Sequence, residues 1–237
     1  MKDFEKIILG QTNCFLLKAA DGYLLIDCGN AGDERAMLSA LQKFELSPFS
    51  IRYLLLTHHH SDHCGLINYL LSLNPDIDII MNEKCAEYLS VGKNHIMPKE
   101  HYASVPLQYV FNLYGKFSSN LSPTFPPYQI RSRDILTYDA PYDLLSLTGI
   151  NGFLLPTPGH TPDSVSLVMG DNAFVGDAAR NLLNFCGAAY EPICQYDKTA
   201  CYESWDKFIS LGVKHLHPSH GPSFDINILN RKRHNII

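Results

Sequence analysis

The chain has 237 residues, 46% of them hydrophobic, and a formal net charge of −5. That is enough apolar material for one substantial core, yet no apolar run approaches the ~18 residues a membrane span needs. Seven scattered cysteines without a CxxC pair argue against a disulfide framework or a thiolate zinc knuckle, and the acidic balance offers no global attraction for nucleic acid. The N-terminal MKDFEKIILGQTN has no apolar leader region, so a cytoplasmic protein is expected.

Ile7–Leu9 and Cys14–Lys18 read as a first hairpin, and Gly22–Asp27 as a third strand. Asp33–Phe44 sets Met37, Leu38, Leu41 and Phe44 on one stripe, the pattern of an amphipathic helix. Ile51–Leu56 is a continuous apolar strand. A helix over Leu66–Leu73, a strand of period two over Asp76–Met81 and a helix over Glu83–Val91 follow. From Gly92 to Tyr138 periodicity weakens, while aromatics such as Tyr102, Tyr109, Tyr114, Phe125 and Tyr128 accumulate. This stretch is expected to be an insert or lid at 92–138, folded on the domain rather than joining a sheet. Strand patterns resume at Asp143–Leu147, Gly152–Leu155, Ser164–Met169 and Ala173–Val175. Thr199–Leu211 reads as a helix, Val213–His217 as a last strand and the basic NRKRHNII as a solvated tail. Alternating strands and helices predict one α/β domain over 1–237.

One segment stands apart. LLLTHHHSDHCG crowds His58, His59, His60, Asp62 and His63 directly behind an apolar strand. A polar surface turn does not need so many imidazoles. The pattern repeats at other strand ends: His160 after GFLLPT, Asp177 after NAFV, and His220 in the HPSHG that closes the last strand. Each lies beside a glycine, where the backbone can turn sharply. If these strands are neighbours, four ends deliver metal-type side chains to one rim. Alternate residues on extended backbone point to one side, so His58 and His60 can share an ion while His59 points elsewhere. Imidazole and carboxylate donors without thiolate suit zinc, with iron or manganese as alternatives.

His58-x-His60-x-Asp62-His63, then Gly159-His160-Thr161, Gly176-Asp177 and Ser219-His220-Gly221, resemble in order the ligand signature of the metallo-β-lactamase superfamily. TNCFLL and LLIDCG upstream resemble its opening strands, so the match runs from about Gln11 to Gly221. The resemblance implies an αββα sandwich of two mixed β-sheets flanked by helices, with two divalent metal ions in a groove at one edge. His58, His60 and His160 would hold the first ion, Asp62, His63 and His220 the second, and Asp177 both. Asp62 and Asp177 are the carboxylates implied in catalysis, and Asp27 would orient the histidine loop. Two such ions would share a hydroxide and polarise a scissile carbonyl.

The implied activity is hydrolysis of a small-molecule ester-type bond, in a lactone, thioester or other carboxylic ester. The alternatives are a mononuclear iron oxidoreductase resembling persulfide dioxygenases and, less favoured, a nuclease or phosphodiesterase. Thiolate-using β-lactamases of the superfamily carry Cys where this chain has Asp177, which argues against antibiotic hydrolysis. His215 and His217 are expected to pack or face solvent, His95, His101 and His234 to lie at the surface, and Cys64 to pack at a helix start. Arg180 and Asn181, just past Asp177, are expected near enough to the groove to touch substrate, with surface ion pairing as the equal alternative. No nucleic acid or membrane partner is expected.

Overall fold

The computed structural model describes residues 4–95, 101–117 and 124–234. Its first sheet opens with the antiparallel strands β1 (Phe4–Leu9), β2 (Thr12–Ala19) and β3 (Gly22–Ile26). β4 (Ile51–Leu55) and β5 (Asp78–Asn82) extend it in parallel, and past the short β6 (His101–Tyr102) so does β7 (Ile135–Thr137). Parallel neighbours need crossover connections. Helices α1 (Glu34–Lys43), α2 (Ser61–Cys64), α3 (Ile67–Leu73), α4 (Glu83–Val91) and α5 (Val105–Phe117) lie within them.

The second sheet contains β8 (Tyr142–Asp143), β9 (Phe153–Pro156), β10 (Val165–Met169) and β11 (Asn172–Gly176). β12 (Cys194–Gln195) leaves it to pair with β6, and β13 (His215–Pro218) and β14 (Phe224–Asp225) complete it. α6 (Leu145–Thr148), α7 (Lys198–Ser210) and α8 (Asn227–His234) accompany this half.

Strand period explains the layering. On β2, Phe15 and Leu17 face the second sheet and pack with Leu154, Leu167 and Phe174, while Leu16 turns the other way towards Met37, Leu41 and Leu70. A third cluster joins Leu155, Val175 and Leu216 to Trp205, Phe208 and Leu229 on α7 and α8. Helices, sheet, sheet and helices form four layers, an αββα sandwich. Each such fully buried aliphatic or aromatic side chain contributes roughly 1.5–3 kcal/mol.

Topology brings the motif-bearing strand ends together. β9 and β11 both lie antiparallel to β10, and β13 lies parallel to β11, so the three end at one edge of the sheet. The Val165 N–H donates to Thr57 O at 2.9 Å, which fastens the β4 end of the first sheet beside them.

Four expectations need correction. β5 is buried at every position, because helices cover one face and the second sheet the other, which erases period-two exposure. Of the expected strand Asp143–Leu147, only Asp143 lies in β8; α6 follows, where the Thr148 N–H returns to Leu144 O and Gly149 ends the turn. The tail is not wholly solvated: α8 buries Leu229 and clamps Arg233 onto Asp206 at 2.6 Å. The end of the expected insert belongs to the body. Lys93 bridges to Thr124, Phe125 and Tyr128 sit in the helix-side core, and β7 pairs with β5.

Candidate metal centre

His58 and His60 follow β4 on an extended loop, and α2 begins at once, with His60 as its N-cap, carrying Asp62 and His63 back over the same spot. The Ser61 N–H at the start of that helix donates to Asn94 Oδ1 at 2.8 Å. His160 arrives from the loop after β9, Asp177 directly after β11 and His220 just beyond β13. Gly221, at φ +91, lets the last loop pass against the Asn181 backbone; a Cβ there would lie 2.1 Å from Asn181 O.

All seven sequence-predicted ligands meet at this edge. His60 Nδ1 lies 3.1 Å from His58 Nε2 and 3.0 Å from His160 Nε2. On the other side, His220 Nε2 is 3.1 Å and His63 Nε2 3.5 Å from Asp62 Oδ2. Asp177 stands between the two groups. Its Oδ2 is 3.6 Å from His160 Nε2, and its Oδ1 is 3.3 Å from His220 Nε2 and 3.8 Å from His63 Nε2.

Hydrogen bonding fixes which ring nitrogen each histidine presents. A carbonyl oxygen can only accept, so His160 must donate from Nδ1 to Cys194 O (2.7 Å), and His220 from Nδ1 to Gln11 O (2.9 Å). His63 gives its Nδ1–H to Asp27 Oδ2 at 2.7 Å. The Thr57 hydroxyl donates to Asp27 at 2.8 Å, leaving its oxygen to accept from His58 Nδ1 at 3.1 Å. In all four, Nδ1 is committed to a protein acceptor and Nε2 is the nitrogen turned inward, the arrangement metal ligation requires. Asp27 itself sits at φ +56 and also takes the Thr57 N–H (2.8 Å) and Ser219 Oγ (3.2 Å). Its left-handed backbone is a local cost accepted at a junction of three loops.

The electrostatics agree. Burial, then the neighbouring imidazoles, hold His58 and His60 well below the ordinary histidine range, and burial lowers His160. Neutral imidazole is the ligand form. His63 departs from this: burial would depress it, but the Asp62 and Asp27 carboxylates outweigh burial and lift the ring to about 10, so without an ion it holds a proton that a metal would displace. Burial opposes charge on Asp62 too, and His63 and His220 overcome it, keeping the carboxyl well below its usual range.

Do these residues fit an ion? His63 Nε2 and Asp177 Oδ1 are buried without a hydrogen-bond partner among the described residues. Orphaned polar atoms of this kind cost roughly 1–3 kcal/mol each unless something else satisfies them. The 3.0–3.1 Å separations among the His58, His60 and His160 nitrogens are close to the ~3.3 Å edge of a tetrahedron with zinc–nitrogen bonds of about 2.0–2.1 Å. The donor set fits a metal.

His59 is excluded for a reason the sequence only half shows. Its Nδ1 meets Asp163 Oδ1 at 2.9 Å and its Nε2 accepts the His95 N–H at 3.2 Å, so both nitrogens are committed to the protein. Asp163 also accepts the His59 N–H at 2.9 Å. Sequence reading missed Asp163; a buried imidazole between ligands demands a partner, which was the available signal. Cys64 packs in the core and donates to His59 O at 3.2 Å. His217 is buried between Ser223 and Asn172, whereas His215 is exposed. His95 and His101 are exposed as expected, with His95 stacked on Tyr88, and so is His234. Arg180 is buried rather than superficial, its Nη1 3.2 Å from Asp177 Oδ2.

A two-sheet sandwich with this histidine–aspartate set at one edge defines a metallo-hydrolase class, and sequence comparison assigns the family. The chain belongs to the metallo-beta-lactamase superfamily, whose family model matches residues 7–220. It is 24% identical over 228 residues to a probable metallo-hydrolase of Streptococcus pyogenes serotype M6, covering 95% of this chain and 86% of that one. A metallo-beta-lactamase superfamily protein of the archaeon Sulfolobus tokodaii superposes with a TM-score of 0.66 at 20% identity, covering 100% of this chain and 86% of its own. A metallo-beta-lactamase family protein of Thermus thermophilus does so at 0.62 and 18%, covering 100% and 80%. At these identities the structural likeness is one of fold.

Proposed function

We propose that this chain is a metal-dependent hydrolase of a small-molecule ester-type bond. His58, His60 and His160 hold one divalent ion, Asp62, His63 and His220 a second, and Asp177 reaches both. The observation that carries the reading is the pair of orphaned buried atoms, His63 Nε2 and Asp177 Oδ1, between two converging ligand groups. Zinc suits this imidazole and carboxylate set best. Bound there, divalent ions supply a water acidified towards neutrality and positive charge for the scissile oxygen.

The chain's own contribution is preorganisation. Asp27, Thr57, Cys194 O and Gln11 O each hold a histidine in one tautomer, so no reorientation accompanies the reaction. His60 and Asp62 are the least buried of the seven, with the Asp62 side chain 29% exposed, so substrate approaches from their side. The five buried cysteines are disfavoured as nucleophiles. Burial pushes the thiols of Cys14, Cys28, Cys64 and Cys85 far up and that of Cys201 to about 12, well away from the thiolate form. In this reading water attacks directly, and the product acid carries solvent oxygen. No described helix is long and apolar enough to cross a membrane. A cytoplasmic enzyme acting on small molecules, without a nucleic-acid partner, completes the reading.

Protein purified without chelator should hold close to two zinc equivalents. A screen of lactones, thioesters and carboxylic esters against phosphodiesters and β-lactams should find turnover in the first group, with labelled solvent oxygen in the acid. One iron per chain with oxygen consumption would replace this reading by an oxidoreductase. An acyl adduct trapped on any serine or cysteine would remove the direct attack by water.

A further inference from the structure

A buried carboxylate stays charged only where it is paired and hydrogen-bonded. Glu191 is 6% exposed and takes no part in the ligand groups. Its Oε1 accepts from Tyr202 Oη at 2.8 Å and faces Lys232 Nζ at 3.6 Å. Its Oε2 accepts from Gln195 Nε2 at 2.8 Å and faces Lys198 Nζ at 3.2 Å. Burial opposes the charge, but the Gln195 and Tyr202 hydrogen bonds and the Lys198 ammonium outweigh it and hold the carboxyl below its usual range. Three of these partners stand on α7 and α8. The fourth, Gln195, stands on β12, directly after the Cys194 carbonyl that accepts the His160 Nδ1–H at 2.7 Å.

β12 needs such a tie. It is two residues long and pairs with β6, which is no longer, and so short a ribbon is not stable by its own ladder. The Gln195 amide is turned for its nitrogen. Nε2 also reaches Pro192 O at 3.3 Å, while Oε1 is buried with no hydrogen-bond partner among the described residues. Flipping the amide would set that oxygen against the Glu191 carboxylate, so Glu191 imposes the orientation and the orphaned acceptor is tolerated. On the backbone, the Tyr196 and Asp197 N–H groups both donate to Gly159 O, at 3.0 and 3.2 Å. β12 and the loop bearing His160 are therefore one unit, and Glu191 is its side-chain tie to the two helices.

Resting on the metal reading above, we propose that Glu191 is a positioning residue for His160. Through Gln195 it keeps the Cys194 carbonyl on Nδ1, and so keeps Nε2 turned towards His60 and Asp177. α7 and α8 supply no ligand, yet they set the geometry of one.

The test compares Glu191→Ala, Glu191→Gln and Gln195→Leu in the full chain. Leu229→Ala serves as a control that lowers stability through the core beneath α7 and α8. Stepwise zinc affinities are measured against a chromophoric chelator, with Tm for each variant. The His160 Nδ1–H resonance is followed in ¹⁵N-histidine-labelled protein with and without zinc, and is assigned by its loss in His160→Ala. Losing a partner behind a ligand histidine weakens metal binding 10- to 100-fold, and Glu191 stands one bond further out, so Glu191→Ala and Gln195→Leu should each weaken the His160 site by about tenfold. Both should shift or broaden the resonance and leave zinc on the Asp62 side within about twofold of the parent. In Glu191→Gln the amide oxygen can still accept from Gln195 and its nitrogen can donate to Tyr202 Oη, so affinity should stay within about threefold. Leu229→Ala should lower Tm without moving zinc affinity or the resonance.

If Leu229→Ala weakens the His160 site as much as Glu191→Ala does, zinc affinity merely follows stability and the proposal is overturned. Unchanged affinity and resonance in Glu191→Ala and Gln195→Leu overturn it too, leaving Glu191 as a brace between α7 and α8. A loss in Glu191→Gln as large as in Glu191→Ala would equally remove the hydrogen-bonded relay. Should Glu191→Ala fail to fold, Gln195→Leu, which leaves the Glu191 ion pairs in place, decides. A parent chain that takes up no zinc sinks the metal reading, and the resonance of the metal-free variants still decides whether Glu191 positions His160.

Discussion

The histidine loop at 58–63 and the segment that begins at Asn94 touch each other, yet they are built on opposite rules. In the loop, nearly every polar atom has an assigned partner, and those without one point at a neighbouring ligand. In α5, apolar side chains face outward: Val105, Tyr109 and Leu113 are 65%, 73% and 61% exposed. The two regions are nevertheless joined at two places near the start of the excursion. Asn94 and His95 bond to Ser61 and His59, and β6 pairs with β12, whose Cys194 carbonyl sets His160. Rigid chemistry and an open apolar stripe are therefore mounted on the same loops. That division suits an enzyme whose reaction is fixed by preorganised ligands and whose substrate range is adjusted by a separate wall.

The sharpest break in the comparison comes from the loop side. Asp177→Ala removes the carboxylate that faces both ligand groups, so both ions should be lost and activity on a confirmed substrate should fall by about 10²-fold or more. His220→Ala should empty only the Asp62 side. Elemental analysis separates the outcomes, and a variant at position 177 that keeps two metals would disprove the shared role.

Next in size is the tie between loops. Asp163→Ala leaves His59 buried opposite nothing, which should cost about 2–3 kcal/mol in urea unfolding. Because Asp163 also holds the backbone between His58 and His60, metal affinity on that side should weaken by about 10- to 100-fold. A double mutant with His59→Ala should cost less than the sum of the singles; simple additivity would mean the pair is not coupled.

Histidines outside the ligand groups sharpen the contrast differently. Four of the five histidine ligand candidates have one nitrogen on a protein partner and one left over, whereas His59 and His217 use both. Burial, followed by the nearby His215, holds His217 down at about 4. Its ordinary value is near 6.5, so the unfolded chain binds this proton first, and folding stability is lost as pH falls from about 6.5 towards 4. The loss should reach about 2 kcal/mol. In His217→Gln the stability–pH curve should be shallower by about one proton across that window, and an unchanged slope would place the acid sensitivity elsewhere.

Much of this was legible in the sequence, and for identifiable reasons. Strands that end in His or Asp beside a glycine announce the ligands, because the side-chain chemistry and the turn are both local. Period and apolar content give β4 and α7 almost to the residue, and the centre of β2. What stayed hidden was non-local. Nothing in Cys194 or Gln11 marks their carbonyls as acceptors for His160 and His220, since every residue has a carbonyl. The partnership of His59 with Asp163 spans 104 positions. The three residues of β7 are too few to show a period, and Asp143–Leu147 lost its strand because Leu144 and Thr148 repeat at helical spacing.

The smallest expected effect belongs to the apolar stripe, and it decides what that region is for. Val105, Tyr109 and Leu113 recur every four residues, which places them on one face of α5, while Leu107 on another face is fully buried. The helix is anchored close to the ligand loops: Ser104 Oγ donates to Cys186 O at 2.8 Å and accepts the Leu107 N–H at 3.3 Å. Of the tyrosines that accumulate in the expected insert or lid, Tyr102 lies half-buried in β6, Tyr109 is on this stripe, and the side chain of Tyr114 lies outside the described residues. An exposed side chain contributes little to folding, so Tyr109→Ala and Leu113→Ala should change stability by no more than about 0.5 kcal/mol and leave metal content intact. If the stripe is a wall, each should raise KM or shift preference between long and short acyl chains by a few-fold, with kcat on the smallest ester little altered. Unchanged KM across an acyl series, with only Tm displaced, would make α5 part of the scaffold and leave the ligand loops to select substrate by themselves.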